Sequence, residues 1–179
     1  MGAGRGSVTA MARIELPPGD APEVVRALSL RPALAEAVAT YDEAVWNSTL
    51  DWRLHELVRM RIAQVNECTV CLSWRTPQAT EAGVTDDLLA RVNRAAESDD
   101  YSAAERVAIE YAERYATDSA RIDDALLDRL REHFDDGEIV ELTLVIAKYL
   151  AFGKFMQVLG LDQTCTLRFD EAGAVVAAG

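Results

Sequence analysis

Ala, Leu, Glu and Arg recur in periodic blocks along the chain, and Gly and Pro fall mainly between the blocks. This pattern constrains the fold most, because apolar residues at i, i+3, i+4 and i+7 build one face of a helix and leave no alternation for a strand. In 52–66, Leu54, Leu57, Val58, Arg61, Ile62 and Val65 share one face, and Arg61 is its one polar member. Pro17, Pro18 and Gly19 break the chain after an extended start, and Asp20 offers an N-cap for a short helix to about Ala27. Pro32 suits the first turn of a helix running to Trp46. A helix beginning near Cys68 is expected to continue to Ala82, bent at Pro77, and to stop at Gly83. Thr85 opens a short helix that ends before Ser98, and Ser102 with Glu105 reads as a capping box for 103–117. Further helices are expected at 123–134 and, after a turn at Asp135-Asp136-Gly137, at 138–159. A β-prone patch at 165–169 precedes a tail of small residues. The expectation is an all-α domain of about seven to eight helices over 13–161, with a flexible segment at 1–12 and a tail at 162–179.

Half of the 179 residues are apolar, enough for one core at this length. The net charge of −12 repels phosphate backbones and anionic lipid, so neither nucleic acid nor a membrane surface is an expected partner. The most apolar stretch, 139–161, is interrupted by Glu141, Lys148, Lys154 and Gln157, and reads as a buried helix rather than a span. Residues 1–10 lack the apolar core of a secretory signal, which makes the cytoplasm the default location, and Met11 offers an alternative start.

Three cysteines, Cys68, Cys71 and Cys165, are too few for a disulfide scaffold. Cys68 and Cys71 stand three apart, so one helical turn brings them onto one face within disulfide reach. A thiolate is the nucleophile that attacks a peroxide or a disulfide, and a neighbouring thiol resolves the sulfenic acid before it over-oxidises. Such chemistry needs a proton acceptor, and Glu56, twelve residues before Cys68, is a candidate base. Zinc would need two more ligands, and His55, His133 and Cys165 lack finger-like spacing, so no metal is expected. His55 reads as a helix-surface or inter-subunit residue, Trp46 and Trp74 as core or pocket wall, and Cys165 as a bystander.

The segment from Glu56 through Asn66 to Cys68-Thr-Val-Cys71, with Ala79 and Gly83 following, resembles the active-site stretch of the carboxymuconolactone decarboxylase / alkylhydroperoxidase D superfamily. The helix from Glu138 to Gly160 resembles that superfamily's closing helix. The resemblance implies an alkylhydroperoxidase D-like helical fold and an enzyme of peroxidase type, a thiol-dependent hydroperoxide reductase or related dithiol oxidoreductase. It implies a hydroperoxide substrate, a lipoyl- or thioredoxin-type dithiol reductant, no bound cofactor, and assembly as a homo-trimer or homo-hexamer. The site it implies is Cys68, Cys71, Glu56 and position 75. Where the superfamily usually has His, this chain has Arg75, four residues after Cys71, and an arginine keeps its proton at physiological pH. Arg75 is therefore expected to stabilise a thiolate or to hold Glu56 or a substrate carboxylate, without shuttling protons. The alternatives are a lactone decarboxylase or other carbon–carbon lyase on the same fold, and a non-enzymatic redox sensor.

Overall fold

The computed structural model describes residues 12–162 and the backbone of two short strands beyond them. Nine α-helices are present among these residues: α1 Glu23–Ser29, α2 Pro32–Trp46, α3 Trp52–Asn66, α4 Thr69–Ser73, α5 Pro77–Glu81, α6 Asp86–Ala90, α7 Ala103–Thr117, α8 Asp124–Arg131 and α9 Asp136–Leu159. Two 3₁₀ segments, Val92–Glu97 and Ser119–Arg121, link them. Strands β1 Arg168–Phe169 and β2 Val175–Val176 pair antiparallel, so the described end of the β-prone patch is a strand. The flexible lead-in, the alternative start at Met11 and Cys165 lie outside the described residues. No helix among the described residues is long and apolar enough to cross a membrane.

The number of helices exceeds the expectation because one long segment divides. The helix after Cys68 does not bend at Pro77; it ends at Ser73, and a new one starts at Pro77. A residue before proline is pushed out of the α region, and Thr76 is extended, its hydroxyl accepting the Ala79 N–H at 3.0 Å. Pro77 occupies the first helical position, where its missing N–H costs nothing. Gly83, at φ +79°, follows as the expected left-handed terminator.

Helix starts follow their caps. The Ser102–Glu105 capping box closes in both directions. A second box, Asp135 with Glu138, starts α9 two residues before the expected Glu138, so Gly137 lies inside the first turn rather than in a loop. The first helix has no side-chain cap of its own and begins at Glu23, not at Asp20. Its leading N–H groups, Glu23 and Val24, donate to the buried Asp162 carboxylate at 2.9 and 2.8 Å, and Asp162 N–H donates back to Glu23.

The central element is α3, which packs chiefly against α7 and α9. Its residues from Leu54 to Met60 are all buried, so the single apolar face expected from the sequence becomes burial all round. One apolar cluster joins Leu54, Val58 and Ile62 to Val107, Tyr111, Leu130, Leu142 and Ile146. A second joins Leu57 and Met60 to Ala79, Leu89, Val92 and Ile109. A third gathers Cys68, Val70, Met156 and Leu161 under Val24, Ala27 and the N-terminal residues Ile14 and Leu16. The cysteine turn thus sits where the N-terminal segment, α1 and the end of α9 meet.

Candidate functional site

Cys68 and Cys71 form a closed disulfide, with Cα atoms 5.2 Å apart. Two local features bring them together. The chain leaves α3 through Glu67, a non-glycine residue at φ +51°, and the Cys68 N–H closes on Ala63 O at 3.1 Å. Such a left-handed exit reverses the chain within two residues. Cys68 then caps α4, its sulfur accepting the Cys71 N–H at 3.3 Å. The two cysteines differ in exposure: Cys68 is buried at 1%, and Cys71 is partly exposed.

Beneath this turn lies a buried ion pair that the sequence reading missed. Arg59 donates from Nε and one Nη to the two Glu56 oxygens at 2.7 and 2.6 Å, a bidentate arrangement. Both side chains are within 1% of full burial. The other Nη of Arg59 donates to Cys71 O at 2.6 Å, and the first also reaches Trp74 O at 3.3 Å. The Trp74 ring lies 4.3 Å from the guanidinium carbon, within cation–π range. A charge pair at i and i+3 is visible in the sequence, but on a helix that spacing reads as a solvated surface pair.

Arg75 stands elsewhere than its spacing implied. Because α4 ends at Ser73 and Trp74 is extended, position 75 does not share the helical face of the cysteines. Its Nε donates to Asp86 at 2.8 Å, and one Nη donates to Leu72 O and Trp74 O at 2.8 and 2.7 Å. The guanidinium that holds Glu56 is that of Arg59; Arg75 meets the cysteine segment through the Leu72 and Trp74 carbonyls.

His55 is not a surface residue. It is buried, with Nε2 2.9 Å from the Tyr149 hydroxyl and its ring stacked on Trp52. Burial pushes its pKa down to about 3, and the nearby Lys148 and Arg59 cations act in the same direction. Burial likewise raises the Tyr149 phenol and lowers the Lys148 ammonium, which Asp42 partly restores by pairing with it. Trp46 packs edge-on to Trp52 and stacks on Trp74 at 6.5 Å, so the tryptophans wall the site as expected. Asn66 donates to Tyr149 O and Leu150 O, fixing the cysteine turn against α9. A Cβ at Gly153 would stand 2.3 Å from the Asn66 amide nitrogen, so only glycine lets α9 come this close. Among the described residues, no group of three or more His, Cys, Asp or Glu side chains is placed to hold a metal.

A helical domain built around a Cys-x-x-Cys turn and a buried carboxylate defines a class, and comparison with known proteins places the chain within it. Residues 32–114 match the carboxymuconolactone decarboxylase family. The uncharacterized protein YdfG of Bacillus subtilis (strain 168) is 30% identical over 63% of this chain and 78% of its own. An uncharacterized peroxidase-related protein from Silicibacter sp. TM1040 superposes with a TM-score of 0.72 at 18% identity, covering 88% of this chain and 94% of its own. An alanine-for-cysteine variant of the debrominase Bmp8, in complex with 2,3,4-tribromopyrrole, superposes with a TM-score of 0.68 at 20% identity, covering 78% and 75%. At those identities the structural likeness is one of fold. The chain belongs to the carboxymuconolactone decarboxylase family.

Proposed function

We propose that this chain is a thiol-dependent hydroperoxide reductase, or a closely related dithiol oxidoreductase, that cycles Cys68 and Cys71 between dithiol and disulfide. The observation that carries the reading is the closed Cys68–Cys71 bond between a buried and a partly exposed cysteine. Access assigns the roles. The Cys71 thiolate attacks the distal oxygen of ROOH, the O–O bond breaks, and the alkoxide leaves as ROH after taking a proton from water. Cys71 is then a sulfenic acid. The Cys68 sulfur, which accepts the Cys71 N–H, attacks it; the S–S bond forms and water leaves. The sum is ROOH and two thiols in, ROH, water and a disulfide out. A dithiol reductant of lipoyl or thioredoxin type takes up the oxidising equivalents and restores both thiols. Glu56, the base expected from the sequence, is in this reading the counter-ion of Arg59. Arg75 is a rim residue that ties the segment after Cys71 to Asp86.

The debrominase among the structural neighbours favours a second reading, reductive chemistry on a halogenated ring by the same thiols. A carbon–carbon lyase is the third, and it would not need the cysteines. The test is steady-state reduction of an organic hydroperoxide with a dihydrolipoyl donor, wild type beside Cys68→Ser and Cys71→Ser. Turnover lost in both variants is expected. No wild-type turnover, with thiols that still oxidise on peroxide addition, would move the assignment to a redox sensor. Lactone decarboxylation that survives in a Cys68→Ser, Cys71→Ser double variant would favour the lyase.

A further inference from the structure

Arg59 is occupied on both edges and on one face. One edge grips Glu56, one turn earlier on the same rigid helix. The other grips Cys71 O, across the gap between α3 and the cysteine turn. Trp74, three residues after Cys71, covers the face and adds its carbonyl to the same guanidinium. The part of α4 that carries the more exposed cysteine is therefore tied to α3 by this side chain, through backbone atoms that do not depend on the redox state of Cys71. The tie is also a full positive charge, removed from water and matched by one carboxylate.

We propose that Arg59 is a positioning residue of the dithiol site: it holds the Cys71 end of the cysteine turn against α3 and supplies the positive field that favours the Cys71 thiolate, moderated by Glu56. The inference rests on the dithiol reading only for its catalytic consequence, because its effect on the thiol is measurable without turnover. The two partners act with opposite sign. Removing the Glu56 charge unmasks Arg59 and favours the thiolate; removing both charges leaves Cys71 without a field and without its clamp. A charge within a few ångströms moves a thiol pKa by roughly one to three units. Each unit gives about tenfold more thiolate but a weaker nucleophile, a net change of about threefold in rate.

The experiment is the alkylation rate of reduced Cys71 by iodoacetamide at pH 7, in a Cys68→Ser background so that one site thiol reports. Added Glu56→Gln, which keeps the shape of the side chain, is expected to speed alkylation about threefold. Glu56→Gln with Arg59→Met is expected to slow it by a similar factor. Equal rates in all three proteins, or shifts in the same direction, would overturn the proposal. Should Glu56→Gln alone fail to fold, the protein with both changes decides, and an unchanged or faster rate than the Cys68→Ser parent sinks the idea. Opposite shifts in a protein that reduces no hydroperoxide would leave the role of Arg59 standing and remove the peroxidase reading.

Discussion

His55 is held neutral between Trp52 and Tyr149, with a pKa of about 3 against about 6.5 for a free imidazole. As pH falls, the unfolded chain takes up this proton first. The contribution of His55 to stability is therefore complete above about pH 6.5 and is lost toward pH 3, at about 1.4 kcal/mol per pH unit. Thermal unfolding between pH 6.5 and 5 is the window where His55 titrates in the unfolded chain ahead of most carboxylates. The expected outcome is a shallower loss of stability in His55→Gln than in wild type, and equal slopes would refute it. Glu56 and Arg59 follow a different rule, since neither can lose its partner cheaply: breaking a buried ion pair from one side costs about 3–5 kcal/mol. Glu56 stands out in the sequence because its offset from Cys68 is a local spacing. Arg59 lies at an equally local spacing, but its burial is not local.

At the scale of elements, helix starts obeyed caps wherever the cap is a nearby side chain. Ser102 and Glu105 placed α7 at its observed start. Asp135 and Glu138 form the same box, but Gly137 between them reads as a break until the first turn is seen to tolerate it. Asp135→Ala should cost about 1 kcal/mol, read as a lower urea midpoint at unchanged slope. A midpoint equal to wild type would mean that packing alone sets the start of α9. The division at Pro77 has the larger consequence, because it ends the cysteine helix after one turn and swings Arg75 out to Asp86. Helical extrapolation past Ser73, where the chain is already extended ahead of Pro77, put that residue on the wrong face.

For the whole molecule, the arrangement of α3 between α7 and α9 leaves α9 with an outer side that is also apolar. Val140 and Leu144, one turn apart, are 60% and 49% exposed, and Val158 is 59% exposed farther along. An exposed apolar row on a long helix costs free energy in water unless something covers it. With the homo-oligomer implied by resemblance, we expect copies of this chain to meet on this side. Light scattering should give a mass above that of one chain, and Val140→Glu with Leu144→Glu should lower it. A single-chain mass for wild type, or an assembly indifferent to both charges, would place the contact elsewhere or remove it.

Signals confined to a few residues were enough for much of this protein. Periodicity and punctuation specify α2, α3 and α7 at their observed bounds, and one helical turn of spacing suffices to bring Cys68 and Cys71 within bonding distance. The contacts that complete the site join distant segments. His55 meets Tyr149 across 94 residues, Asn66 reaches the α9 carbonyls through the space left by Gly153, and Asp162 caps α1 across 138 residues. No local period encodes such pairings. They exist because α3, enclosed by α7, α9 and the cysteine turn, carries polar groups whose burial is costly without partners, and in this dry interior Arg59 is the partner of Glu56.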